Sequence, residues 1–240
     1  MGIVERIAPG GKEWLDEIGA HAGRYRFAAQ FARGARVLDA GCGVGYGSHV
    51  LAEGGAAEVV GVDIARDALE AAGREFPHAR IRYVADDCES LTNVAGPFDL
   101  IVSLENIEHL QHPERFVARA AELLRETGVL VCSTPNNPTA ARARPENPFH
   151  TLEFNREEFA GLLGKWFAKV KMFGQELTSA YLAAHRMSMN PAFRFGSFLQ
   201  RLKGRERYRM PAPTEGDFII SDTGAKPENF IAVCTDPRRQ

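Results

Sequence analysis

Five apolar runs rich in Val, Ile and Leu punctuate the first 135 residues, and stretches with helical spacing lie between them. They predict strands at 36–40, 58–63, 80–85, 98–104 and 128–134, and helices at 46–54, 66–76 and 113–126. Pro113 in the first turn and Gly128 just past the end suit the last of these helices. Asn155 followed by Glu158 reads as a capping box that opens a helix through Leu163. Further strands at 167–173 and 229–235 bring the total to seven. Such alternation predicts an α/β architecture, a mostly parallel sheet with crossover helices on both faces. Two segments fall outside it. Residues 1–34 carry a helical pattern ending in Arg24-Tyr-Arg-Phe-Ala-Ala-Gln-Phe31 and read as an N-terminal lid; residues 176–225 read as an insertion before the last strand.

Composition narrows the class. A chain of 240 residues with 45% hydrophobic content can fill one large core, and it reads as a single domain over 1–240. Its net charge of −2 predicts no general attraction to nucleic acid or to a membrane. No apolar run approaches the length of a membrane span and the N-terminus lacks a secretory apolar region, so the expected compartment is the cytoplasm. Cys42, Cys88, Cys132 and Cys234 lack CxxC spacing and read as reduced thiols. One local departure matters: seven Lys and Arg stand between His185 and Arg209 against Glu206 alone. The plain reading is a solvated basic surface, and the functional one a cap that attracts an anionic acceptor.

The chemistry begins at Val37-Leu-Asp-Ala-Gly-Cys-Gly-Val-Gly-Tyr-Gly47, where an apolar strand ends in Asp39 and in glycines at alternate positions. A second strand, Val59-Val-Gly-Val-Asp63, ends in an acid placed to bind a ribose diol. A dinucleotide fingerprint G-x-G-x-x-G would need glycine at Tyr46, so that spacing fails. The D-x-G-x-G-x-G string resembles the first motif of class I S-adenosylmethionine (SAM) methyltransferases. The resemblance implies a Rossmann-like sheet whose last strand is antiparallel. It also implies a cofactor site in which Asp39 orients the ammonium group, directly or through water, Gly41, Cys42 and Gly43 supply backbone contacts, Asp63 takes the ribose hydroxyls and Ile64 packs on the adenine. Ala85-Asp-Asp-Cys-Glu-Ser-Leu91 resembles the third motif, with Asp87 accepting from the adenine amino group and Cys88 as neighbouring backbone donor. Asp86 takes that role if the register slips by one. A capping or turn role is the plain alternative, more so for Asp86 and Asp87 than for Asp63. Tyr25 and Arg24 are further candidates, for the methionine carboxylate.

Phe98-Asp-Leu-Ile-Val-Ser-Leu-Glu-Asn-Ile-Glu-His-Leu110 places Glu105, Glu108 and His109 three and four residues apart, on one face if the stretch is helical. With His150 of Asn147-Pro-Phe-His-Thr-Leu-Glu-Phe154 they make two carboxylates and two imidazoles, a donor set for a divalent cation. The set resembles that of metal-dependent RNA 3′-terminal 2′-O-methyltransferases. The longer strings also resemble bacterial methyltransferases of glycans and natural-product sugars, over roughly residues 20–175. Without metal, His109 or His150 serves as general base, with Glu108 beside them.

The resulting expectation is a SAM-dependent O-methyltransferase acting on a carbohydrate-like acceptor (a saccharide, a sugar nucleotide or a glycosylated natural product) with Mg2+ or Mn2+ at Glu105, Glu108, His109 and His150; an anionic acceptor is the functional reading of the basic segment. A homodimer is permitted. The rivals are methylation of RNA ends, metal-free methylation of a quinone or small phenol, and a SAM-binding regulatory protein.

Overall fold

The computed structural model describes residues 12–138, 145, 147–189, 213–222 and 227–239. Among them, strands and helices alternate where the hydrophobic pattern does. The first half reads α1 (Lys12–Ala29), β1 (Arg36–Ala40), α2 (Tyr46–Glu53), β2 (Glu58–Asp63), α3 (Arg66–Glu75), β3 (Ile81–Ala85) and β4 (Phe98–Leu104). A 3-10 turn at Ile107–His109 leads to α4 (Pro113–Leu123), β5 (Leu124–Pro135), α5 (Arg156–Gly164), β6 (Phe167–Leu177) and α6 (Ser179–Met189). A second 3-10 turn (Glu215–Asp217), β7 (Phe218–Ser221) and β8 (Asn229–Pro237) complete the order. The expected capping box holds α5: Asn155 accepts from the Glu158 amide at 2.9 Å, and Glu158 accepts from the Asn155 amide at 3.0 Å.

All eight strands form one mixed sheet in the order β3-β2-β1-β4-β5-β8-β6-β7. The pairs β1–β2, β2–β3, β1–β4 and β4–β5 are parallel. β8 runs antiparallel to both β5 and β6, and β6 pairs antiparallel with β7. Period-two alternation sends Leu38, Ile101, Leu130, Cys132, Ala232 and Cys234 to one face, under Phe116 and Val117 of α4 and Phe159 and Leu163 of α5. Val37, Leu100, Val102, Val131 and Ile231 point to the other, under Tyr25 and Ala28 of α1 and Leu51 and Ala52 of α2. Helices therefore cover both faces. All four cysteines are buried free thiols. Among the described residues no helix is long and apolar enough to cross a membrane.

Three expectations change. The sheet has eight strands, not seven, because Phe218–Ser221 pairs with Gly174–Leu177 at the edge; four residues are too few to show alternation. Part of the expected 176–225 insertion thus belongs to the sheet. The helix expected over 113–126 ends at Leu123, since Leu124 is drawn into the sheet opposite Phe98 and Gly128 lies inside β5. The basic segment falls almost wholly outside the described residues; within it, His185 and Arg186 are exposed.

Candidate active site

β1 is the point at which strand order reverses, with β2 on one side and β4 on the other. The carboxyl ends of strands at such a reversal leave a crevice in which open α/β sheets bind ligands. Asp39 ends β1 there, fully buried, accepting from Ser48 Oγ at 2.6 Å and Tyr25 Oη at 3.1 Å. Burial pushes its pKa up to about 6 despite the two donors, and the charge of Asp63 adds to the rise. Gly41 has φ +82, and a Cβ there would come within 2.6 Å of the Asn106 side chain. The turn after β1 is thereby packed against the segment after β4. The Gly41 and Cys42 amides both donate to Val62 O, which ties the turn to β2 as well.

Asp63 is held by two backbone donors, Gly43 N to Oδ2 at 2.9 Å and Ala65 N to Oδ1 at 2.8 Å. Beside it Ile64 is 73% exposed, a large apolar side chain at the mouth of the crevice. Asp86 and Asp87 separate clearly. Asp86 is buried and takes the amides of Asp87 and Asn93 and the Thr92 hydroxyl, a turn-stabilising role. Asp87 is exposed, with one oxygen on the Glu89 amide. Cys88 is buried, and burial raises its thiol pKa, followed by the charge of Asp63.

Tyr25 is oriented toward Asp39 rather than left open for a methionine carboxylate. Its ring fills the space that Gly47 leaves, where a Cβ would overlap it. The Arg24 fork is engaged too: Nη1 donates to Gln175 Oε1 at 2.6 Å and Nη2 lies 3.7 Å from Glu105 Oε2.

The expected four-donor set divides. Glu108, His109 and His150 come together, with one donor atom of each within 4.8 Å of the others. The two imidazole centroids are 5.1 Å apart. The loop carrying His150 is fastened to the 3-10 turn by the Thr151 and Leu152 amides on Glu108 O and by the Thr151 hydroxyl on Leu110 O. Glu105 does not join them. It precedes the 3-10 turn with φ +51, and its carboxylate accepts from Ser133 Oγ and Asn229 Nδ2, each at 2.6 Å. The expected shared helical face therefore does not form, because the turn begins only at Ile107. Glu108 is buried, and its Oε2 has no hydrogen-bond partner among the described residues. Burial, then the charge of Glu105, pushes its carboxyl well above the usual range.

His109 Nδ1 lies 3.1 Å from Phe149 O; a carbonyl only accepts, so that nitrogen carries the proton and Nε2 keeps its lone pair. The sequence reading passed over Ser48, Asn106, Asn147 and Glu153, which hold Asp39, the glycine turn and His150. Glu153 left a signal, a carboxylate three residues after a histidine.

The methyltransferase-domain family profile matches residues 14–175, about two thirds of the chain. The chain belongs to the class I SAM-dependent methyltransferase family. It is 38% identical over 141 residues to a probable S-adenosylmethionine-dependent methyltransferase of Mycobacterium tuberculosis, covering 58% of this chain and 50% of that protein. It is 39% identical over 106 residues to the ubiquinone biosynthesis O-methyltransferase of Coxiella burnetii, covering 43% and 45%. Among solved structures, a SAM-dependent methyltransferase of Mesorhizobium loti superposes with a TM-score of 0.60 at 18% identity, covering 95% and 100%, which shows the shared fold. The chain spans about half the length of these curated relatives.

The residues present fit SAM. The glycine turn brings backbone close to the crevice, although its Gly41, Cys42 and Gly43 amides are engaged by Val62 and Asp63; Asp63 is preset opposite it, and Ile64 is exposed beside Asp63. They do not fit the expected four-ligand cation, because Glu105 is engaged by Ser133 and Asn229; Glu108, His109 and His150 remain close enough to one another to share an ion.

Proposed function

We propose that this methyltransferase moves the methyl group of SAM to a hydroxyl of a carbohydrate-like acceptor. The observation that carries this reading is the pair of imidazoles, His109 and His150, in the crevice after β4, with His109 three residues beyond the Asn106 that packs on Gly41. A sulfonium methyl is already activated, so the cofactor supplies the electrophile and the chain must align the acceptor and take its proton. Asp39 holds the ammonium end, Asp63 the ribose hydroxyls, Asp87 the adenine amino group, and Ile64 covers the ring. An imidazole lone pair accepts the hydroxyl proton as the oxygen approaches. Asn137, Asn147 and Glu153 form a polar network about His150, which suits a polyol better than an apolar quinone ring.

A second reading, in which a divalent cation assists at Glu108, His109 and His150, is favoured by the unpartnered Glu108 Oε2. The test is S-adenosylhomocysteine release with saccharide, sugar-nucleotide, short-RNA and phenol acceptors, each with Mg2+ or Mn2+ and with EDTA. Turnover on a saccharide that survives EDTA is expected. Loss with EDTA and recovery with Mn2+ would move the conclusion to the cation, and turnover confined to RNA or phenol would replace the acceptor.

A further inference from the structure

The geometry points to His150, rather than His109, as the group that takes the acceptor's proton, with Glu153 as its positioning residue and the Asn147 amide occupying the place of the reacting hydroxyl. This rests on the O-methyl-transfer reading above and says which atoms carry it.

Both ring nitrogens of His150 have partners that agree on one tautomer. Nδ1 lies 2.8 Å from Glu153 Oε1; an ionised carboxylate only accepts, so Nδ1 carries the hydrogen. Nε2 lies 3.1 Å from Asn147 Nδ2, an amide donor, so Nε2 presents its lone pair. Which end of the Asn147 amide faces the ring is fixed separately, because its Oδ1 accepts from the Phe149 amide at 3.0 Å. Glu153 is anchored in turn: its second oxygen accepts from Asn137 Nδ2. His150 and Glu153 are 10% and 11% exposed, so water competes little with the pair. The order His150–Glu153–Asn137 is thus a base, the carboxylate that orients it, and an amide that fixes the carboxylate.

His109 is built differently. Its Nδ1 donates to a backbone carbonyl, which has no charge to offer the imidazolium that forms when the ring takes a proton. A carboxylate behind the ring supplies that charge and holds the tautomer. The Asn147 N–H points at Nε2 from 3.1 Å, the separation at which a hydroxyl donor would sit, so it marks where the acceptor oxygen enters. In the step, the acceptor's O–H bond breaks and its proton passes to His150 Nε2. The oxygen electron pair forms the O–CH3 bond, and the electrons of the broken C–S bond stay on sulfur.

The experiment is a double-mutant cycle on the full chain, with kcat and KM measured separately. Glu153→Gln is expected to lower kcat by roughly 10- to 100-fold, up to the lower end of what a positioned general base contributes, while leaving KM for SAM within about twofold. Glu153→Asp is expected to restore part of the loss. His150→Ala is expected to lower kcat roughly 100-fold or more. Adding Glu153→Gln to His150→Ala should cost nothing further, because the carboxylate acts only through the ring. Additive losses, or a Glu153→Gln variant that loses SAM affinity, would assign Glu153 a purely structural role and overturn the proposal. A larger kcat loss in His109→Ala than in His150→Ala would overturn it too, as would loss of wild-type turnover in EDTA with recovery in Mn2+. A wild-type chain inactive on every hydroxyl acceptor would instead sink the reaction. The pairing then stands or falls on imidazole 15N resonances, where a protonated Nε2 on His150 in the wild-type chain refutes it.

Discussion

Asp39 sets the stability its burial brings against the ligand role proposed for it. Its folded pKa, about 6, exceeds the carboxylate's ordinary 3.8, so between those values the folded chain keeps a proton that the unfolded chain releases. Stability is therefore highest below about pH 4 with respect to this group, and it declines as pH rises toward 6, by about 3 kcal/mol in all. An ammonium group placed on Asp39 requires the ionised form and reverses that preference. Affinity for S-adenosylhomocysteine is thus expected to rise between pH 5 and pH 7, with calorimetry recording proton release in that range. Asp39→Asn is expected to flatten both dependences and to weaken binding by roughly tenfold or more. An unchanged affinity in that variant would place the ammonium elsewhere. Asp39 and Asp63 were legible in the sequence because each comes at the end of an apolar run, whereas Ser48 looks like any helix residue, and Tyr25, marked as a candidate, shows Asp39 as its partner only once α1 and α2 are docked.

At the scale of elements, α1 is the piece whose placement matters most to the site. Its residues Arg24 and Tyr25 are neighbours in sequence yet serve different partners, one reaching Gln175 on β6 and Glu105 after β4, the other Asp39 on β1. Gln175 returns a bond from Nε2 to Ala20 O, and Arg26 pairs with Glu215 at 2.9 Å, so the helix is fastened along its length. The close seat on α2 depends on Gly47, where a methyl group would overlap the Tyr25 ring. Gly47→Ala is accordingly expected to destabilise by about 1–3 kcal/mol and to speed hydrogen exchange of α1 amides well beyond those of β1 and β4. Uniform exchange across all three would mean that the helix is not separately loosened. The N-terminal helix was legible as a helical pattern, but its seat was not, since that depends on contacts with distant elements.

Across the whole molecule, a net charge of −2 coexists with the basic run between His185 and Arg209, so the field is uneven even though the total is small. The proposal of an anionic acceptor gives that unevenness a use, through attraction that salt screens over roughly 8–10 Å. Replacing Arg201, Arg205 and Arg207 with Gln is expected to raise KM severalfold for a sugar nucleotide and to remove its salt dependence, with KM for a neutral saccharide unchanged. Equal effects on both acceptors would reduce the run to a solvated surface. The sequence by itself determined what depends on chain neighbours: the strand periodicity, the glycine turn with its flanking acids, and the Asn155–Glu158 cap. Even the three-residue step from His150 to Glu153 was present to be seen. Tertiary structure alone decided which groups meet across the sheet. Glu105 stands three residues from Glu108, yet Ser133 and Asn229, 28 and 124 positions away, draw its carboxylate aside, while His109 and His150 converge from 41 residues apart. Spacing along a chain fixes direction only within a regular element, and past the end of β4 the direction of each side chain follows from which strands lie beside it.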